Sequence, residues 1–359
     1  MESYTCSIQE FREIMNGLAG NELALKLFPE LTSEALKERF AAYDSIRTFQ
    51  GDVMYRSCRF MMAQTMETFT CSGQEYLDGK PCLFISNHRD IVVDSMMLQY
   101  QLITLGMDTT YLVVGSNLYE MPLMAQLAKV NKMIGIARGG GRKAYYRSLM
   151  ELSTVLRQIV VSEGHSAWIA QRNGRTKDGC DQTDPALVKM IAATGDDPVK
   201  GLVSMNIVPL SISYEWEPCA AQKAREVCLR RKGPYEKVPG EDTQSIINGI
   251  MDFKGKVHLS VCKPLEPSEI EATKGIPAAV AALIDSRIAE GYRLFDTNRM
   301  AAALLKGEPL PESQESERFV KYLDEACEKY PLGPEYRQTL LEIYANPILK
   351  NVNYHTSQR

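Results

Sequence analysis

Asn87-His88-Arg89-Asp90, with Asp94 close behind, gathers an imidazole, a guanidinium and two carboxylates after the short apolar run Cys82 to Ser86. A neutral imidazole, whose unperturbed pKa is about 6.5, can accept a hydroxyl proton near neutral pH. A neighbouring carboxylate orients the ring and stabilises the imidazolium as it forms. Asp94 and Asp90 both stand close enough in sequence to supply that carboxylate, and a histidine that merely caps the next helix is the competing role. His165, His258 and His355 lie in no comparable polar cluster at a strand end, which assigns them structural or surface roles.

Two further clusters could hold an anion. Arg138-Gly139-Gly140-Gly141-Arg142-Lys143, with Arg147 beyond, follows one strand-like run and opens a helical one. Glycines let backbone amides approach a phosphate while arginines grip it, each charge-assisted hydrogen bond contributing roughly 1.5 to 3 kcal/mol. The spacing matches neither the nucleotide P-loop nor the dinucleotide fingerprint, and a flexible basic surface loop is the alternative. Arg172-Asn173-Gly174-Arg175-Thr176-Lys177-Asp178-Gly179 again ends an apolar run, Ala167 to Ala170. Three polar turns at strand ends imply one crevice along a common sheet edge, where α/β proteins place their ligands.

The elements that must position these turns follow from periodicity. From about residue 8 to 70, apolar residues recur at helical spacing, as in Leu36, Phe40, Tyr43 and Ile46, without strand-like alternation. After Gly79-Lys80-Pro81, short β runs appear at residues 82–86, 110–114, 133–137, 166–170, 207–214 and 257–262, with helical patterns between most of them. Beyond Pro264 the pattern is helical again, with a capping box expected at Ser268 and Glu271. The expected fold class is α/β, a mixed central sheet flanked by helices on both faces. The expected organisation is an N-terminal helical subdomain (1–75), an α/β domain (76–265) and a C-terminal helical segment packed on it (266–359).

Composition bounds the function. The chain has 359 residues, 45% of them hydrophobic, and a formal net charge of -4, which argues against a surface built to neutralise nucleic acid. Its nine cysteines are widely spaced without a C-x-x-C pair, so neither a disulfide framework nor a zinc knuckle is expected, and none stands in a recognisable nucleophile setting. No metal and no cofactor is expected. The start lacks the basic and apolar regions of a secretory leader, and no window has the roughly 18 apolar residues that span a bilayer. A cytoplasmic protein, peripheral on the inner face of a membrane, is the expectation.

The order Phe84-Ile-Ser-Asn-His88-x5-Asp94, Ile134-Gly-Ile-Ala-Arg138, Arg172-Asn-Gly-Arg175 and Val208-Pro209-Leu-Ser-Ile-Ser-Tyr-Glu215 resembles the four blocks of the glycerolipid acyltransferases, over roughly residues 80 to 265. That family includes the glycerol-3-phosphate and 1-acylglycerol-3-phosphate acyltransferases. The resemblance implies that His88 is the general base and Asp94 its partner. Arg138, Arg172 and Arg175 would bind the acceptor phosphate with Gly174 beside it, and Val208 and Pro209 would line the acyl-donor site. Asn87, Asp90, Arg142, Lys143 and Lys177 would support them. It further implies acyl-CoA or acyl carrier protein as co-substrate, a glycerophosphate-type acceptor and contact with a membrane surface. Two departures stand out. Five residues rather than four separate His88 from Asp94, and the third block carries Arg172 or Asn173 where the family places a Glu. The second departure implies an altered acceptor, or a lipid- or phosphate-binding protein without turnover.

Overall fold

Runs of β-branched and apolar residues build a mixed seven-stranded sheet among the described residues. The computed structural model describes residues 6–19, 31–116, 119, 122–136, 141–193, 197–238 and 240–350, of which 122–124 and 142–146 are described as backbone only. The strands are β1 (Met66–Ser72), β2 (Leu83–Ser86), β3 (Tyr111–Gly115), β4 (Met133–Ile136), β5 (Ala167–Ala170), β6 (Ile207–Tyr214) and β7 (Gly255–Val261), in the spatial order β1-β7-β6-β2-β5-β3-β4. Strands β2 to β6 run parallel, whereas β7 is antiparallel to β6 and carries β1 parallel beside it. Every residue of β2 and β6 is buried, as expected for central strands covered on both faces.

Alternation divides the core. Leu83 and Ile85 of β2 face one layer with Ile159, Val188 and Ile284, while Phe84 faces the other with Leu98, Trp168 and Ile212. A third cluster joins Ala224 to Phe319, Leu323, Tyr336 and Tyr344 among the C-terminal helices. The N-terminal helices Ile8–Ala19 and Ser33–Ala41 meet Phe49 through Phe11 and Phe40. Among the described residues no helix is long and apolar enough to cross a membrane.

Strand β1 corrects the helical reading of residues 8 to 70. The helix Tyr55–Thr65 stops at Thr65 and the chain enters the sheet at Met66. Phe69 and Cys71 are half-buried between exposed Thr68, Thr70 and Ser72, the weak alternation of an edge strand. His258 of β7 fastens that edge, its Nδ1 and Nε2 lying 2.7 Å from Thr70 Oγ1 and 3.0 Å from Ser72 Oγ.

Candidate active site

Parallel strands deliver their carboxyl ends to one side of a sheet, and here β2 and β5 end side by side. The chain leaves β2 at Ser86 into Asn87 and His88 and leaves β5 at Ala170 into Gln171 and Arg172. Backbone hydrogen bonds join the two turns. Gln171 N donates to Ser86 O at 2.8 Å, and Thr176 N donates to His88 O at 2.7 Å.

His88 is buried with one face on a cavity, and its Nδ1 lies 3.0 Å from Asp94 Oδ2. Asp94 is held from four directions. Its Oδ2 also accepts the amides of Arg89 (2.7 Å) and Asp90 (2.9 Å), and its Oδ1 accepts the Tyr214 hydroxyl at 2.8 Å. The extra residue between His88 and Asp94 is taken up by a tight turn in which Asp90 Oδ1 accepts the amides of Val92 and Val93 at 2.9 and 2.8 Å. Asp90 is therefore committed to the start of the helix Val93–Thr104, while Asp94, in that helix's first turn, faces the imidazole. The other Asp90 oxygen, buried without a hydrogen-bond partner, is pressed against Gly249, where a Cβ would stand 2.1 Å from it.

Asn87 is fully buried and bonds across the sheet, its Oδ1 accepting from Ile212 N at 2.8 Å and its Nδ2 donating to Ile212 O at 2.9 Å. It aligns β2 with β6. Arg89 turns the opposite way from His88. Its guanidinium donates to Asp181 Oδ2 at 2.7 Å and Glu217 Oε2 at 3.3 Å and lies over the Tyr292 ring. Lys223 Nζ completes the group by donating to Glu217 Oε1 at 2.5 Å and to Arg89 O at 2.6 Å. Although burial alone would lower it, the Asp181 and Glu217 carboxylates and Tyr292 hold the Arg89 pKa well above its usual value. Tyr214 moves upward too, because burial and the Asp94 charge disfavour its phenolate, so it stays a hydrogen-bond donor.

The cavity beside His88 measures about 150 Å³ and is lined by both polar and apolar residues. Arg172, Gly174, Arg175 and Lys177 line it together with Asn173, Asp184, Lys237 and Asp242, and Val113, Ile136, Leu149, Trp168, Leu187 and Met190 add apolar surface. Gly174 has φ +78°, and no atom lies within 4 Å of where its Cβ would be, so the turn is left-handed and open. Arg175 Nη1 is buried with no hydrogen-bond partner, a donor whose desolvation an incoming anion would offset. Lys177 is ion-paired with Glu226, and burial pulls its pKa down.

The structure thus brings His88, Asp94, Arg172, Gly174, Arg175 and Lys177 to one place. Arg138 lies outside the described residues, and Arg142 and Lys143 are described only as backbone at the start of the helix Gly141–Arg157. Val208 and Pro209 do not join the cavity. Both are interior residues of β6 opposite Phe84 and Ile85, and Val208 packs into the core. Tyr214, Asp181 and Glu217 escaped the sequence reading. Tyr214 stands next to last in the fourth block with nothing to single it out, and the two acids have no local pattern to mark them.

Residues 68–213 match the family model named Acyltransferase. Among solved structures, the 1-acyl-sn-glycerophosphate (LPA) acyltransferase PlsC from Thermotoga maritima is similar over 79% of this chain and 93% of that one, at 13% sequence identity and a TM-score of 0.40. No curated protein matches the chain.

Proposed function

We propose, on the premise that this chain belongs through residues 68–213 to the acyltransferase family, that it moves a fatty acyl group from a thioester to the hydroxyl of glycerol-3-phosphate or 1-acylglycerol-3-phosphate. The observation that supports this reading is the His88–Asp94 pair opening on the same cavity as Arg172 and Arg175. With Nδ1–H donated to Asp94, Nε2 of His88 is the ring's acceptor and takes the acceptor hydroxyl's proton. The alkoxide oxygen forms a bond to the thioester carbonyl carbon, and the C–S bond breaks as the tetrahedral intermediate collapses. The proton on the imidazolium then passes to the departing thiolate. Arg172 and Arg175 hold the acceptor phosphate, and the Trp168, Leu187 and Met190 wall takes the apolar chain, each buried methylene contributing roughly 0.8 kcal/mol.

Purified protein offered acyl-CoA and acyl carrier protein thioesters with glycerol-3-phosphate, lysophosphatidic acid and amino-acid lipid precursors tests this directly. Turnover with a glycerophosphate acceptor is expected, falling about 10²- to 10⁴-fold in His88→Ala. The third block, with Arg172 and Asn173 but no acid, carries the second reading. Turnover only with a non-phosphate acceptor, or acceptor binding without turnover, would replace the first.

A further inference from the structure

The turn that carries Arg172 and Arg175 is the front of a longer loop, residues 171–184, which has no helix or strand of its own. The loop closes on itself where Asp184 N donates to Gln171 O at 2.9 Å. A loop of this length is uncommon inside a compact domain and takes its shape from what it touches. Arg172, Gly174, Arg175 and Lys177 on its front line the His88 cavity. Its back, Asp178 to Thr183, meets helices far along the chain. Thr183 N donates to Asp285 Oδ1 of the helix Pro277–Gly291 at 2.7 Å. Asn346 Nδ2 of the helix Pro334–Leu349 donates to Asp178 O at 2.5 Å. Asp181 joins back to front, its Oδ1 accepting the Thr176 hydroxyl at 2.8 Å and its Oδ2 accepting from Arg89 and Asn87 at 2.7 and 3.1 Å.

The seat on the helix Pro334–Leu349 is close. Gly179, next to Asp178, has φ +75°, and a Cβ there would stand 2.3 Å from Ile343 O. Ile343 lies four residues before Pro347, which sits inside the helix and has no N–H to return to that carbonyl. The Asn346-Pro347 step therefore offers the loop a side-chain donor and, at contact distance, a carbonyl released from its usual partner. The same helix braces the group around Arg89, since the Tyr344 hydroxyl accepts the Glu217 amide at 3.2 Å. All of this helix lies outside the stretch 68–213 that matches the family. Arg175 Nη1 has no hydrogen-bond partner among the described residues, so the reach of this cavity-lining side chain follows the height of the loop beneath it.

We propose that Asn346 is a positioning residue: through Asp178 O it sets the height of the Arg172–Arg175 turn, and with it the affinity for an anionic acceptor. That the anion is the phosphate of an acyl acceptor rests on the acyltransferase reading; the seating of the loop requires no turnover.

Hydrogen exchange and steady-state kinetics of the full chain test it together, in Asn346→Leu, which removes the donor at similar volume, and in Asn346→Gln, which keeps one. In Asn346→Leu the hydrogen-bonded amides of Thr176 and Thr183 should exchange about ten-fold faster, with those of β2 and β6 as in wild type. With an acyl thioester and glycerol-3-phosphate, the KM for glycerol-3-phosphate should rise about ten-fold while kcat and the KM for the thioester stay within about two-fold. Asn346→Gln should recover most of that loss. A purely structural Asn346 would lower the melting temperature and turnover together without splitting the two KM values; that result, or unchanged exchange at Thr176, overturns the proposal. Should Asn346→Leu fail to fold, Gly179→Ala takes its place, with the same exchange and KM changes expected from a loop pushed off the Ile343 carbonyl. If wild type does not acylate glycerol-3-phosphate, the acyltransferase reading fails and calorimetry with inorganic phosphate decides the proposal. Phosphate bound about ten-fold more weakly by Asn346→Leu than by wild type would uphold it, and equal binding, or binding by neither, would end it.

Discussion

His88 and Arg89 are neighbours in the chain, each beside buried carboxylate, yet they serve opposite ends. His88 keeps one carboxylate, Asp94, and one face on a cavity. Arg89 is sealed between Asp181 and Glu217, with Lys223 balancing the second acid. The first arrangement leaves a ring nitrogen for an incoming molecule, and the second spends its donors on the protein. The loop that turns His88 toward the cavity is held by its neighbour, Arg89, which is paired to Asp181 and Glu217.

The comparison can be broken at several points. Asp94→Asn should produce the largest change, a loss of about 10²- to 10⁴-fold in turnover with the melting temperature preserved, because the amide no longer favours the productive tautomer. Asp90→Asn measured in parallel should be much milder, and the reverse order would move the partner role to Asp90. Arg89→Met should cost about 3–5 kcal/mol in denaturant unfolding, since it removes the shared counter-charge of Asp181 and Glu217. A loss within 1 kcal/mol, roughly the value of a surface pair, would show that Arg89 is no anchor. Tyr214→Phe should have the smallest effect, lowering kcat about ten-fold at unchanged KM, the lower end of what one hydrogen bond to a charged group contributes. A raised KM with intact kcat would mean that Tyr214 shapes the cavity instead of steadying Asp94.

What could be read from sequence was what local pattern encodes. The apolar runs ending at Ser86 and Ala170 announce strands, and the polar residues after them mark turns at a shared edge, so the neighbourhood of His88, Arg172 and Arg175 was legible. Whether Asp94 or Asp90 faces the imidazole was not, since that depends on a tight turn closed by backbone amides. The edge strand Met66–Ser72 was missed because Glu67, Thr68, Thr70 and Ser72 leave only a faint alternation beside a Met-rich helix. Asp181 and Glu217 lie 92 and 128 positions from Arg89, beyond the reach of any periodicity. Val208 and Pro209 lie inside β6 opposite Phe84 and Ile85 and do not line the cavity, a placement set by strand pairing that no local pattern prints.

The hydrogen bond from Thr176 N to His88 O ties the turn that carries His88 to the turn that carries Arg172 and Arg175. Lengthening or shortening 172–179 to suit a different headgroup would drag the imidazole along with it. On the proposed acyl-transfer reading, a change of acceptor is expected to proceed by exchanging side chains at constant loop length, and loop grafts that ignore this should lose turnover before they lose binding.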